Sequence, residues 1–165
     1  MTIYFSRILG KPVWDVQGNE LGRCADISVA EVATGFPPMR AIAITTSDRG
    51  DVCVSAEHVA WISPSIILKT TNPPPYESRR DELWLKRQVL DRQIVDTEGR
   101  RLVRVNDLQF TRLGDNGRYC LTGADVGARS LLRRLGVEGV FTRLAHLLHR
   151  ELPQTVIPWQ DVAPL

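Results

Sequence analysis

The sequence predicts a mainly β protein built from two small barrel-like β units in tandem, the second carrying an inserted helical pair. Three observations lead there. The run Val13 to Ile27, VWDVQGNELGRCADI, returns 81 positions later as Ile94 to Leu108, IVDTEGRRLVRVNDL. Such an internal repeat is the signature of a duplicated module. Short apolar runs rich in β-branched residues alternate with turn signals at the spacing of small barrels or sandwiches. Between the two copies lies TNPPPYES (Thr71 to Ser78), whose three consecutive prolines favour a stiff polyproline segment outside any sheet interior. The expected division is therefore unit 1 over 1–70, a linker over 71–80 and unit 2 over 81–165.

In the first copy, Thr2 to Val16 is strand-like but interrupted by Gly10-Lys11-Pro12, where proline suggests a strand start or an edge. Asp15 to Asn19 forms the turn, with Gly18 supplying a residue that tolerates positive φ. Leu21 to Ala30 returns as a strand, and its broken alternation predicts a β-bulge near Cys24. Arg40 to Thr46 is a strand with Ile42 and Ile44 on one face and Ala41 and Ala43 on the other. Ser47 to Gly50 turns the chain and Asp51 to Ser55 returns. Ala56 to Trp61 reads as a helical turn, and Ser65 to Thr70 as a last strand.

The second copy starts near Glu82-Leu83-Trp84. In register, Asp15, Gly18, Leu21, Arg23 and Asp26 match Asp96, Gly99, Leu102, Arg104 and Asp107. Tyr119 to Thr122 reads as the counterpart of Ala41 to Ile44. Ile157 to Val162 answers Val54 to Val59 at an offset of 103, so about 22 residues are inserted, around 127–153. Their periodicity predicts a helix over 130–135 and a longer one over 140–152, ended by Pro153. Nothing follows Val162 to match the strand SIILKT. Unit 2 is thus expected to lack its last strand, either as a piece of something longer or with an edge open for a partner.

Composition narrows the function. A net charge of +2 is shared as 8 Lys/Arg and 8 Asp/Glu over 1–80 against 13 and 11 over 81–165, which is no nucleic-acid signature. Cys24, Cys53 and Cys120 have no CxxC spacing and read as small buried hydrophobes in a reducing compartment. No stretch reaches the ~18–20 apolar residues of a membrane span, so a soluble, cytoplasmic chain is expected. No phosphate-loop, dinucleotide, nucleophile-elbow or HExxH motif occurs, and no enzyme, cofactor or metal is expected. His146 and His149 are one pair where zinc needs three or four ligands. Asp125 reads as a turn or cap residue. The Arg23/Asp26 and Arg104/Asp107 pairs read as structural, satisfying backbone groups at a bulge. Arg129, Arg133, Arg134, Arg143 and Arg150 of the insertion form the candidate partner surface, suited to an acidic protein or to anionic headgroups.

The motif LGKPVWDVQGNELGRCADISV resembles the PRC-barrel family, through Leu9-Gly10-Lys11-Pro12-Val13, Asp15, Gly18, Leu21-Gly22, Asp26 and Ile27. The second copy departs at Asp91 and Val103, where the first has Gly10 and Gly22. VLDRQIVDTEGRRLVRVNDL, LTGADVGARSLLRRLG and VIPWQDVAPL are also similar to the N-terminal region of bacterial MgtE-type magnesium transporter-like proteins. There PRC-barrel segments precede helical and CBS domains. The resemblance implies a non-catalytic cytoplasmic regulatory or adaptor module tied to magnesium transport. Its expected partner is a protein or further domains of a longer chain, with a second copy and a peripheral membrane contact as the other candidates. The alternative is a ribosome maturation or RNA-associated assembly factor of RimM-like type.

Overall fold

The computed structural model describes residues 1–98, 100–114, 117–127 and 155–164. The first copy forms β1 (Thr2–Tyr4), β2 (Pro12–Trp14), β3 (Glu20–Ala30), β4 (Met39–Thr46), β5 (Gly50–Ser55), β6 (Val59–Trp61) and β7 (Ile66–Leu68). The second forms β8 (Glu82–Trp84), the single-turn helix α1 (Leu85–Gln88), β9 (Gln93–Asp96), β10 (Arg101–Arg104), β11 (Asp107–Leu113), β12 (Arg118–Asp125), β13 (Val156–Pro158) and β14 (Val162–Pro164). The chain is mainly β. Its strands make three sheets, ordered β5-β4-β3-β2-β7-β6 with β8 also on β3, β1-β11-β12-β13, and β10-β9-β14. None of them closes into a barrel among the described residues. The predicted helical insertion lies outside those residues.

Locally encoded features appear where the residues require them. Asp15 Oδ1 accepts from the N–H groups of Gln17 and Asn19, and Gly18 takes φ 84 in that turn. The β3–β4 register slips between Cys24 and Asp26, which is the bulge the alternation demanded. Ile42 and Ile44 enter the main core, while Ala41 and Ala43 on the opposite face pack with Trp84. Alanines leave room for that ring. The predicted helical turn is shorter than expected: a 3-10 turn covers Ala56–His58 and β6 follows. There β-branched Val59 pairs with Leu68 instead of continuing the turn.

The two copies exchange their first strands. β1 pairs with β11 of the second copy, Ile3 facing Phe110. β8 pairs with β3 of the first, Leu83 facing Val29. Each exchanged strand runs into a helical turn whose first carbonyl accepts two N–H groups. Phe5 O takes Ile8 and Leu9, and Leu85 O takes Val89 and Leu90. Next, Gly10 N–H donates to Cys24 O at 2.8 Å, and Asp91 N–H donates to Val105 O at 2.9 Å. Asp91 keeps the left-handed backbone of Gly10, φ 65 against 73, a conformation Asp tolerates better than most side chains. One core runs through both copies, with Phe5 and Phe110 fully buried and their ring centroids 6.3 Å apart.

The repeated aspartates hold the exchange. Asp107 Oδ1 accepts from Ser6 N–H at 3.0 Å and Leu108 N–H at 2.9 Å, and Oδ2 accepts from Ser6 Oγ at 2.6 Å. Reciprocally, Asp26 Oδ1 accepts from Lys86 N–H at 2.7 Å and Ile27 N–H at 2.8 Å. Each aspartate thereby ties down the turn after the other copy's strand. Asp107→Ala strands the buried Leu108 N–H and the half-buried Ser6 N–H, and is expected to cost about 3 kcal/mol in urea unfolding. Asp26 differs, because its buried Oδ2 has no hydrogen-bond partner and only Arg87 Nε at 3.5 Å. Burial raises its carboxyl above the ordinary range, against the backbone N–H groups and Arg87 that lower it. A raised folded-state value favours folding most below the unfolded carboxylate range, and that part is lost as pH rises through the folded value. Asp26→Asn, which keeps the Oδ1 acceptor, should therefore cost less than ~1 kcal/mol at neutral pH and flatten the stability–pH curve. A loss equal to that of Asp107→Ala would refute this reading.

One expectation is corrected. The bulges set the equivalence of β12 with β4: Ser28/Ala41 is followed by Val29/Met39, skipping Arg40, and Gln109/Gly123 by Phe110/Leu121, skipping Thr122. Gly123 and Ala124 therefore occupy the places of Ala41 and Ile42, not the run Tyr119 to Thr122. An alternating apolar run looks alike under a register slip, so pattern alone could not fix this. The neighbour of β9 also differs from that of β2. In the first copy β7 runs parallel to β2, whereas β14 takes that place beside β9, Ala163 facing Val95.

Candidate functional site

The seam between the copies carries a cleft of about 320 Å³. Five separate elements bring cations to it: Arg40 on β4, Lys69 after β7, Arg79 in the linker, Arg112 on β11 and Arg118 on β12. Arg40 is the residue skipped in the β3–β4 ladder, and bulges commonly re-aim a side chain in this way. Arg112 and Arg118 flank the turn of the β11–β12 hairpin, where Leu113 pairs with Arg118. Glu57 is the one carboxylate among the described lining residues.

Part of this basic surface is fixed in place. Arg112 Nε donates to Gly117 O at 2.7 Å, and its guanidinium lies 4.7 Å from the Trp61 ring centroid and 5.7 Å from that of Tyr119. Lys69 Nζ donates to Glu57 O at 2.8 Å. The linker is anchored as well: Tyr76 N–H donates to Cys53 O at 3.3 Å, and Trp84 Nε1 donates to Ser78 Oγ at 3.0 Å. The Tyr76 hydroxyl donates to the Glu82 carboxylate. Burial, then that hydrogen bond and the Glu82 charge, push the phenol up to about 12, with Arg79 and Arg40 pulling the other way. The side chains of Arg40, Arg79 and Arg118 have no ion-pair or hydrogen-bond partner among the described residues. Chemically the cleft is a basic one, with Arg112 and Lys69 held by hydrogen bonds and three guanidinium groups without a partner among the described residues, donors of the kind that suit anions.

The residues singled out by the repeat lie elsewhere. Asp15 also accepts from Asn19 Nδ2 at 2.9 Å, and that side chain, then the backbone N–H groups, hold its carboxyl below the ordinary range. Asp96 meets Arg101 at 3.3 Å. Arg23 Nη1 donates to Gly10 O at 3.0 Å, and Arg104 Nη2 lies 3.5 Å from Asp91 Oδ1. The two matched arginines thus take different partners around the same turn. Leu21 packs on the core, whereas Leu102 is 59% exposed. Asp125 is buried and accepts from Gly127 N–H at 3.1 Å. Gly99, the histidine pair and the arginines at 129, 133, 134, 143 and 150 lie outside the described residues. Among the described residues no three His, Cys, Asp or Glu side chains gather as metal ligands. No described helix is long and apolar enough to cross a membrane. Cys24 and Cys120 are buried, Cys53 is half-buried, and all three are free thiols.

Sequence reading passed over the cleft. Its cations are single residues between positions 40 and 118, in a chain of net charge +2, so no local run announces them. The nearest signal is Arg79-Arg80 at the end of the proline linker. No protein-family model matches the chain, and no relative is found among the curated proteins.

Proposed function

We propose that this chain is a non-catalytic regulatory or adaptor module that recognises an anionic partner through the basic seam cleft. The observation that carries it is the convergence of Arg40, Lys69, Arg79, Arg112 and Arg118, with Glu57 the one carboxylate among the described lining residues. The finer fold reading, two PRC-barrel-like units, belongs to the same proposal. It is supported by the matched element order, the bulge shared at Ser28/Val29 and Gln109/Phe110, and the paired turn hydrogen bonds of the two copies. A cytoplasmic place in a longer, magnesium transporter-like protein is the setting proposed from the motifs quoted above, with the arginines of the insertion as a second contact surface.

Charge reversal tests the reading. Arg40→Glu with Arg118→Glu should weaken binding of fluorescein-labelled heparin at least about tenfold, measured by anisotropy. A control pair at exposed sites away from the cleft, Arg23→Glu with Arg101→Glu, should change it less than about threefold. Equal losses from the two pairs would sink the proposal. The RimM-like alternative draws on one observation, the 49% exposed Trp61 under Arg112, since stacking rings beside cations suit RNA. Co-sedimentation with ribosomes at moderate salt, lost in the cleft double variant, would favour it.

A further inference from the structure

We infer that the seam cleft binds a small organic anion carrying two or more phosphoryl groups. The inference rests on the anion-binding reading above and narrows it to a chemical class. Charge density is the first argument. Among the described lining residues, five cations and one carboxylate leave four positive charges around about 320 Å³. A round cavity of that size is roughly 8–9 Å across, near the lower end of small-ligand sites. An extended acidic peptide advances ~3.3 Å per residue and sends alternate side chains to opposite faces. It would therefore bring about two carboxylates, roughly −2, into the space. Each phosphoryl group with a free second ionisation carries about −1.5 to −2. Two bridged groups, of which only the terminal one has that second ionisation, bring about −3 within one ligand, closer than the peptide to what the walls ask for.

Donor geometry is the second argument. Four of the five cations are arginines, whose planar forks match pairs of phosphate oxygens, whereas a lysine acts as a point charge. Arg40, Arg79 and Arg118 have forks with no partner among the described residues, and Arg112 is already oriented by Gly117 O and the Trp61 ring. The third argument is the lining. Pro38, Met39, Val59 and Tyr119 give the cleft apolar surface beside its charges, room for an organic group and not for phosphate alone. The arginines come from both copies and from the linker, so the ligand would bridge the exchanged halves.

Isothermal titration of the full chain with ADP, AMP, inorganic pyrophosphate and tetraglutamate tests the inference. ADP is expected to bind at least about tenfold tighter than AMP, the gain of one further set of charge-assisted hydrogen bonds. Pyrophosphate should bind measurably, and more weakly than ADP if the apolar lining contributes. Arg40→Gln with Arg118→Gln should abolish this preference while the ligand-free melting temperature stays within a few degrees of wild type, which separates lost binding from lost fold. Tetraglutamate binding as tight as ADP, or AMP equal to ADP, overturns the inference. If heparin binding still depends on Arg40 and Arg118 in that case, the broader anion-binding reading survives it. If neither heparin nor any phosphate senses these arginines, both fall.

Discussion

Cutting the chain in its linker, between Asn72 and Pro73, is expected to leave two fragments that fail to fold alone and fold on mixing. Each copy has given its first strand away. Without the second copy, β3 loses β8 from its edge, and β1 has no β11 to pair with. The side chains that follow are core residues: Ile3, Phe5 and Ile8 from the first copy, Leu85 and Val89 from the second, all packed in one cluster with Leu108 and Phe110. Burying each large apolar side chain is worth about 1.5–3 kcal/mol, so uncovering four or five forfeits roughly 6–15 kcal/mol. A domain's whole stability is about 5–15 kcal/mol. The exchange therefore decides whether either half stands. Far-UV circular dichroism and urea titration of residues 1–72 and 73–165, apart and mixed, measure it. A fragment that unfolds cooperatively as a monomer, with a midpoint near that of the whole chain, would show the exchanged strands to be peripheral.

That exchange was not legible in the sequence, and the reason is physical. A short apolar strand such as Thr2–Tyr4 reads the same whether it pairs within its own copy or with the other, because side-chain alternation records burial and not partner. What the sequence did carry was local. Gly18 in its turn, the bulge beside Cys24 and the two faces of β4 depend on residues a few positions apart. The conserved spacing of Asp26 and Asp107 was visible, but their acceptors' donors, Lys86 and Ser6, sit 60 and 101 positions away. The cleft failed for the same cause on a larger scale. Its arginines belong to strands and a linker that meet only once both copies are folded together, and each taken singly looks like an ordinary solvated cation.

One difference between the copies explains why the first makes a continuous sheet and the second does not, and it leads to the other large effect. Gly22→Ala is expected to destabilise the chain by about 2–4 kcal/mol, from the sum of a strained backbone and overpacking. Gly22 has φ 148, and a Cβ there would lie 2.3 Å from Thr45 O and 2.9 Å from Ile44 Cγ2. The oxygen belongs to backbone already placed by the β3–β4 ladder, where Arg23 pairs with Thr45, so it cannot swing aside. This close approach lets β3 run through eleven residues, pairing first with β2 and then with β4 and β8. Val103 stands at the matching place in the second copy. There the strand breaks into β10 and β11, which belong to different sheets, and β9 pairs with β10 in straight register, without the bulge seen between β2 and β3. β12 ends at Asp125, short of the place that Thr45 holds in β4, and Val103 packs against the core. Val103→Gly should accordingly cost only about 1 kcal/mol, the ordinary loss of a β-branched residue from a strand. Urea unfolding of the two variants against wild type tests the asymmetry. If Gly22→Ala stays within about 0.5 kcal/mol of wild type, the level of a neutral surface change, the glycine is not what keeps β3 in one piece.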